Sequence, residues 1–242
     1  MGLDVNVALL ISQTNHLLAT MSPAEYDSLA RNLVECKLIA GQVLFTTKHA
    51  AQHVWFPTTA LISIRSETQP DHGLEVAMVG RDGMVGIVAA DPADGVDAAD
   101  AFHAHRSSLC AVVKIRGAAI RIEVDHFKAA CVDNPFLRQF LNRNYEGLFL
   151  QASQSAVCSH YHLLEARLAR ELLITQRCVG ADEFYMTHEL LSQTLGVRRV
   201  GITKAAMALQ KRNLIRYRRG AISIIDTSGL VAAACSCYRG QS

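Results

Sequence analysis

The spacing of apolar residues changes along the chain and divides it into regions of different period. In residues 41–124 the apolar residues occur in short runs separated by Gly, Pro and Asp, which is typical of short β-strands joined by turns. The runs are QVLFTT, HVWFP, ALISIRSE, LEVAMV with the following GRDGMVG, LCAVVKI and AAIRIEV. Strands this short and this closely spaced predict an antiparallel barrel or jelly roll.

Two segments of the first half do not fit the strand pattern. Residues 22–34 predict a short helix, because Ser22 can cap its start, Pro23 suits the first turn and Glu25 follows three residues after the cap. Residues 89–104 are small and acidic, and this composition predicts an irregular loop.

After Asn134 and Pro135 the period becomes helical. Residues of one stripe recur at alternating spacings of four and three, as in the a/d pattern of paired helices. The stripe consists of Leu141, Tyr145, Leu148, Ala152 and Ser155. Two interpretations stay open, because the stripe could join two copies of the chain or pack the helix against its own domain. A position between two domains favours dimerisation through residues 136–159.

A second helix, LLEARLARELLITQR, carries leucines near one face and ends at Gly180. Residues 187–226 then predict a helix, a tight turn, a second helix and a β-hairpin. Gly196 supplies the turn, because glycine takes a positive φ without steric cost. In the hairpin, apolar and basic residues alternate on either side of Arg219 and Gly220. This order of elements is that of a winged helix-turn-helix.

Positive charge is concentrated in the second half of the chain. The formal net charge is +2, but residues 1–135 hold 10 Lys and Arg against 15 Asp and Glu, whereas residues 136–242 hold 14 against 7. Residues 190–225 hold eight Lys or Arg and no Asp or Glu. Since duplex DNA attracts proteins mainly through its phosphates, a carboxylate-free helix-turn-helix with a basic hairpin predicts a DNA-binding surface.

Length and composition argue against several other classes of protein. A chain of 242 residues, half of them apolar, can form two domains of ordinary size. Its N-terminus has no basic segment of the kind that begins a secretory signal, and no apolar run reaches the roughly 20 residues that cross a membrane. Seven scattered cysteines suit a reducing compartment better than a disulfide framework. We therefore expect a soluble, cytoplasmic protein.

The chain resembles the Crp/Fnr superfamily of transcription regulators over essentially its whole length. The resemblance is carried by VWFPTTALISI, VGRDGMVGI, AVCSHYHLLEARLARELL, MTHELLSQTLGVRRVGITKAAMALQKRNLIRYRRGAISIID and AAACSCY. It implies an α+β fold with a β-roll related to cyclic-nucleotide-binding domains at residues 1–135 and a dimerisation helix at 136–159. A winged helix-turn-helix domain at 160–226 and a C-terminal tail at 227–242 would follow. The implied partners are double-stranded DNA with a palindromic site, a second copy of the chain and, as a further candidate, RNA polymerase.

The resemblance also assigns DNA contacts residue by residue. Thr187 and His188 stand at the phosphate-contacting start of the first helix, and the base- and backbone-reading positions of the recognition helix are Arg198, Arg199, Val200 and Lys204. The charge pattern of the hairpin adds three further candidates for DNA contact: Arg216, Arg218 and Arg219. The best-known members have a glutamate where this chain has Val200. Because valine cannot accept a hydrogen bond from cytosine, their operator is not expected here, whereas Arg199 suits a bidentate contact with guanine.

The sensor half departs from the cyclic AMP-binding members. In those members a glutamate after a glycine holds the ribose, and an arginine meets the cyclic phosphate. Here Ile87 follows Gly86, and Ser108 stands at the arginine position with Arg106 two residues away. Because a buried phosphate without a cationic partner is costly, cyclic AMP is not the expected ligand. The effector is unknown, and its pocket would lie near these residues and Gly83.

Cysteine and histidine patterns supply the remaining candidates. Members with an iron–sulfur cluster carry cysteines before the β-roll, and no cysteine precedes Cys36, so no cluster is expected. Cys235 and Cys237 offer two ligands where a structural zinc ion needs four, and no second pair stands at a suitable spacing, so no metal site is expected. His103 and His105 leave a metal-dependent, cupin-like barrel enzyme as the alternative function. No nucleophile–base pair accompanies them, and the sequence predicts a regulator that is not an enzyme.

Overall fold

The computed structural model describes residues 15–46, 49–69, 72–86 and 109–241. They form a β-roll, a long helix and a winged helix-turn-helix, so the predicted α+β fold is confirmed. The acidic segment 89–104 lies outside the described residues, as do Ile87, His103, His105, Arg106 and Ser108. Within the described ranges, no helix is long and apolar enough to cross a membrane.

The roll consists of two antiparallel sheets with the strand orders β1-β7-β3 and β2-β6-β4-β5. Their strands are β1 (Val34–Leu38), β2 (Val43–Phe45), β3 (His53–Pro57), β4 (Leu61–Gln69), β5 (His72–Val79), β6 (Leu109–Ile115) and β7 (Gly117–Glu123). The inner faces of both sheets share one core, in which Trp55, Ile62 and Val113 are buried. Alternate residues of β7, Ile120 and Ile122, point to the opposite face and join a second core. The first sheet is therefore covered on both sides.

Three helices cover the outer face of the first sheet: α1 (His16–Ala19), α2 (Pro23–Ala30) and α3 (Val124–Asp133). Helix α2 begins with the predicted capping box, because the backbone N–H of Ser22 donates to the Glu25 carboxylate at 2.7 Å and the Ser22 hydroxyl accepts from the N–H of Glu25 at 3.4 Å. The predicted extension to residue 34 is wrong. Helix α2 ends at Ala30, and Val34 begins β1, where it pairs with Arg121 of β7.

Helix α4 (Pro135–Tyr161) connects the roll to the second domain. Its start is capped by the Asn134 side chain, which accepts from the N–H groups of Phe136 and Leu137. Two residues of the predicted stripe pack on the roll of their own chain: Leu141 lies against the outer core and Leu148 against the inner core, and both stay partly exposed. Dimerisation through residues 136–159 stays a prediction. A helical period shows which residues share a face, but not which surface covers that face.

The opposite face of α4 is exposed and carries large apolar side chains. Phe149 is 71% exposed, Leu150 64% and Tyr161 75%. On the inward face, Asn144 accepts a hydrogen bond from the N–H of Met84 at 3.1 Å and donates to the carbonyl of the same residue at 3.2 Å. Helix α4 is thus fixed to the segment that follows β5, and its outer face is left without a partner among the described residues.

The second domain packs around helix α5 (Leu164–Val179), which ends at Gly180 with φ +72° as predicted. Its other elements are β8 (Glu183–Tyr185), α6 (His188–Leu195), α7 (Arg199–Lys211), β9 (Ile215–Arg218), β10 (Ala221–Ile224) and α8 (Thr227–Ala233). Leu172 and Ile202 are fully buried in the shared core. The predicted tail contributes to that core, because Leu230 of α8 is also fully buried. A 3-10 helix, Ser236–Gln241, follows.

Candidate nucleic-acid interface

Helix α6 and its turn are held by local hydrogen bonds. The Thr187 hydroxyl caps the helix by accepting from the N–H of Leu190 at 3.1 Å. At the other end Gly196 adopts φ +63°, which confirms the predicted turn, and the guanidinium of Arg167 donates to the carbonyl of Leu195 at 2.6 Å. These contacts fix the position at which α7 begins.

Helix α7 separates an apolar buried face from a basic exposed one. Ile202, Ala205, Ala206 and Leu209 are buried in the domain core. Arg198, at the N-cap position, and Arg199, Val200 and Lys204 are exposed. The amphipathic period therefore turns the N-terminal half of α7, with its arginines, towards solvent.

Strands β9 and β10 form the predicted hairpin, or wing. Arg218 pairs with Ala221, so the loop consists of Arg219 and Gly220, which adopt φ +50° and +87°. Positive φ at both loop residues is the geometry of the tight turn that matches the twist of paired strands. Arg216 and Arg218 alternate with inward-facing residues of β9 and are both exposed, as is Arg219. The wing thus presents three guanidinium groups.

His188 connects the two helices to the wing. Its ring stacks on Tyr217 with a centroid distance of 4.2 Å and an interplanar angle of 16°, and its Nδ1 lies 3.0 Å from the Thr203 hydroxyl. Burial and the positive charge of Arg199 lower the pKa of His188, so the imidazole is neutral at pH 7. His188 therefore positions α7 against β9, and its predicted contact with phosphate stays a prediction.

The exposed basic residues are free to meet an external anion. Among the described residues, no salt bridge involves Arg198, Arg199, Lys204, Arg216, Arg218 or Arg219. By contrast Arg212, at the other end of α7, is paired with Glu165 at 2.9 Å. The stack of His188 on Tyr217 joins the start of α6, the exposed half of α7 and the wing. The structure thus assembles the predicted basic residues on connected elements.

The predicted ligand pocket is described only in part. Gly86 adopts φ +131°, and a Cβ there would clash with the carbonyl oxygen of His53, so only glycine fits. The adjacent Val85 pairs with Trp55 of β3. Because the other pocket positions lie outside the described residues, the expectation that cyclic AMP does not bind stays a prediction.

One cluster of potential metal ligands was not predicted from the sequence. Cys235 and Cys237 were candidates without a second ligand pair, and the fold supplies that pair. Cys158 and His162 lie beside them, and the four potential ligand atoms are all within 4.8 Å of one another. The available signal was the C-x-x-x-H spacing at the end of α4, because residues four apart at a helix end lie about one turn from each other.

Comparison with known proteins agrees with this architecture. Residues 166–233 match the family of Crp-like helix-turn-helix domains. Among solved structures, a regulator assigned to the crp/fnr family from Eubacterium rectale is 16% identical over 91% of this chain and 98% of its own, with a TM-score of 0.64. FixK2 from Bradyrhizobium japonicum is 13% identical over 84% and 98%, with a TM-score of 0.66. No curated protein matches the chain in sequence.

A CRP/FNR-family regulator from Thermus thermophilus is 17% identical over 83% of this chain and 98% of its own, with a TM-score of 0.61. At these identities the solved structures show a shared fold, and the family match identifies the domain at residues 166–233. Together they favour a regulator over the barrel enzyme. The chain contains a Crp-like helix-turn-helix domain at residues 166–233 and is a DNA-binding transcription regulator, and it shares its overall fold with solved regulators of the Crp/Fnr family.

Proposed function

We propose that the chain acts in the cytoplasm as a homodimer that binds a palindromic site in duplex DNA through α7 and the wing, without catalytic activity. The observation that carries this proposal is the exposed basic surface of α7 and β9, in a segment of 36 residues, 190–225, that contains no carboxylate. A carboxylate there would repel phosphate, so its absence favours close approach to the backbone.

The side chains of α7 divide by chemistry. Arg199 carries a planar fork of N–H donors that matches the O6 and N7 acceptors of guanine in the major groove. Val200 is 61% exposed beside it and offers an apolar contact to a thymine methyl group. Arg198 and Lys204 flank these two residues and suit phosphate. The wing residues Arg216, Arg218 and Arg219 would add sequence-independent contacts along the backbone.

The outer face of α4 is the surface we assign to the second copy of the chain. Phe149 and Leu150 are large apolar side chains exposed on it, and burial of such side chains against a second copy would be favourable. A two-fold axis along α4 would place two copies of α7 on one side of the dimer. They would enter successive major grooves about 34 Å apart. RNA polymerase remains a candidate partner of the bound dimer.

A signal in the roll would reach α7 through α4. The two hydrogen bonds between Asn144 and the backbone of Met84 connect α4 with the segment that contains Gly83 and Gly86. A ligand that binds one arrangement of this segment more tightly than another would shift α4, and with it the spacing of the two α7 helices. The ligand is not cyclic AMP in this proposal, because the sequence lacks the glutamate and the arginine that would hold it.

Selection of duplexes from a random library by the purified protein tests the proposal. We expect enrichment of a palindrome whose half-sites are separated by about one helical turn. A parallel selection with a metabolite extract would show an effector as a change in the amount of DNA recovered. A recovered pool without any enriched sequence would overturn sequence-specific binding.

A further inference from the structure

The end of α4 and the end of the chain meet in a cluster of three thiols and one imidazole. Cys158 Sγ lies 3.2 Å from Cys235 Sγ, and Cys237 Sγ lies 3.5 Å from Nδ1 of His162. All four potential ligand atoms fall within 4.8 Å of one another. Cys158 and Cys235 are 77 positions apart in sequence, so the fold brings the members of the cluster together.

Backbone contacts on both sides bring the four residues together. The N–H of His162, the residue after the last turn of α4, donates to the carbonyl of Cys158 at 3.2 Å, and this bond keeps the two residues adjacent. The N–H of Cys235 donates to the carbonyl of Ala166 in α5 at 3.3 Å. This bond turns the chain after α8 back towards α4, and Cys237 follows in the 3-10 helix.

The cluster is shielded from solvent. Cys158 is 2% exposed, Cys235 6% and Cys237 7%, and the three form a small core of their own. His162 is half-buried at its edge. Three sulfurs and one imidazole nitrogen, closed off in this way, are the donor set of a four-coordinate structural zinc site.

The distances suit a single ion. Zinc–sulfur bonds of about 2.3 Å in a tetrahedron place neighbouring sulfurs about 3.8 Å apart. The spacings of 3.2, 3.5 and up to 4.8 Å in the cluster surround this value, so shifts of roughly half an ångström to one ångström would complete the coordination. Thiolates and imidazole also favour zinc over the oxygen-seeking ions magnesium and calcium.

A buried cation lies beside the sulfurs. Arg170 of α5 is 6% exposed and near enough to Cys158, Cys235 and Cys237 to interact electrostatically with all three. Its Nε has no hydrogen-bond partner among the described residues. One zinc ion with three thiolates and a neutral imidazole carries a net charge of −1. The guanidinium of Arg170 would balance that charge in the low-dielectric interior.

We propose that Cys158, His162, Cys235 and Cys237 bind one structural zinc ion. Each of the three thiols gives its proton to solvent on binding, so that up to three protons leave for each ion that enters. The ion fixes the C-terminus to the junction between α4 and α5, where the long helix meets the DNA-binding domain. The site is independent of the proposed DNA contacts, because none of its four ligands lies in α6, α7 or the wing.

Metal analysis of the full-length protein tests the site. The protein is purified without a histidine tag, under a reductant, and its zinc is measured by mass spectrometry. We expect about one zinc per chain in the wild type and at least a tenfold loss in the double variant Cys235→Ser, Cys237→Ser. Cys36→Ser is the matched control, since Cys36 lies in β1 outside the cluster, and it should keep its zinc.

Cobalt binding keeps the proposal testable if the double variant does not fold. Wild-type protein stripped by a chelator and loaded with Co²⁺ should show the intense visible bands of tetrahedral cobalt with thiolate ligands, and zinc should bleach them. The stripped wild-type protein should also unfold at a lower temperature than the same protein loaded with zinc. Reduced wild-type protein that contains no stoichiometric zinc and gives only the weak bands of octahedral cobalt would overturn the site. A Cys158–Cys235 disulfide found in its place would do the same.

Discussion

The ammonium group of Lys114, in β6, lies 2.8 Å from the carboxylate of Glu171, in α5, and both side chains are buried. A second carboxylate, that of Glu75 in β5, lies at the same distance from the ammonium group. The triad therefore joins the roll to the DNA-binding domain. Burial lowers the pKa of Lys114, but the two carboxylates outweigh this effect and hold the pKa above its usual value, so the lysine stays charged.

Replacing Lys114 by methionine should destabilise the protein strongly. The change leaves two buried carboxyl groups without their cation, and removal of one partner from a buried ionic cluster typically costs about 3–5 kcal/mol. Unfolding in urea measures the loss. The control is Lys37→Met, at an exposed position of β1, where we expect a change of about 0.5 kcal/mol or less. Equal free energies of unfolding for the two variants would mean that the triad does not stabilise the fold.

Glu75 should make stability depend on pH. Burial raises its pKa above the ordinary 4.5 more than Lys114 lowers it, so the folded state retains a proton that the unfolded chain has lost. Stability should therefore fall as the pH rises from about 4.5 towards the raised pKa. Glu75→Gln removes this proton equilibrium, and the variant should gain stability relative to the wild type over the same range.

Urea midpoints of both proteins at several pH values above 4.5 give the comparison. Glu35→Gln, on the exposed side of β1, is the control and should run parallel to the wild type. A difference between wild type and Glu75→Gln that stays constant with pH would show that the carboxyl group is ionised throughout.

The exposed face of α4 predicts the effect of a charge at Phe149. Phe149→Asp should convert the dimer into a monomer at concentrations where the wild type is dimeric, because a carboxylate would be buried in an apolar interface. Sedimentation equilibrium reports the mass directly. Phe149→Leu keeps the surface apolar and should remain a dimer. A dimeric Phe149→Asp variant would place the interface elsewhere.

The wing should contribute affinity without sequence preference. Arg219→Gly removes a charge and suits the positive φ of +50° at this position, so the turn is preserved. We expect weaker binding to all duplexes and a salt dependence reduced by about one phosphate contact. Binding isotherms at several salt concentrations measure both. An effect confined to one base pair would show that Arg219 reads sequence.

Arg199, unlike Arg219, should contribute to sequence preference. Arg199→Ala should cost about 1–3 kcal/mol of binding to the selected site and relax the preference at one base pair. Lys211→Ala, at the C-terminal end of the same helix, is the matched control and should bind the site almost as well as the wild type. Selection repeated with both variants shows which base is affected. Unchanged affinity of Arg199→Ala would mean that the assigned register of α7 is wrong.

Features that depend on local chemistry could be predicted from the sequence. The capping box of Ser22 and Glu25 and the turns at Gly180 and Gly196 each rest on a residue type that the backbone geometry requires. The hairpin loop of Arg219 and Gly220 could be predicted because apolar and basic residues alternate in the segments before and after it. The exposed basic surface of α7 and the wing could also be predicted, because charge and helical period coincide within one continuous segment.

Features that depend on distant contacts could not be predicted. Strand β1 is mostly exposed, and its pairing with β7 depends on a partner about 80 residues away in sequence. The helical period placed Leu141 and Leu148 on one face of α4. It could not predict that these two side chains pack against the roll, because that contact depends on residues distant in sequence. Cys158 and Cys235 meet only because α8 turns the chain back on α5.

Binding of purified, folded and dimeric protein to duplex DNA at increasing salt tests the central claim most directly. Fluorescence anisotropy with the selected palindrome should give tight binding at low salt, and the logarithm of the affinity should fall linearly with the logarithm of the salt concentration as phosphate contacts are lost. Protein that binds no duplex of any sequence at low ionic strength would contradict the account.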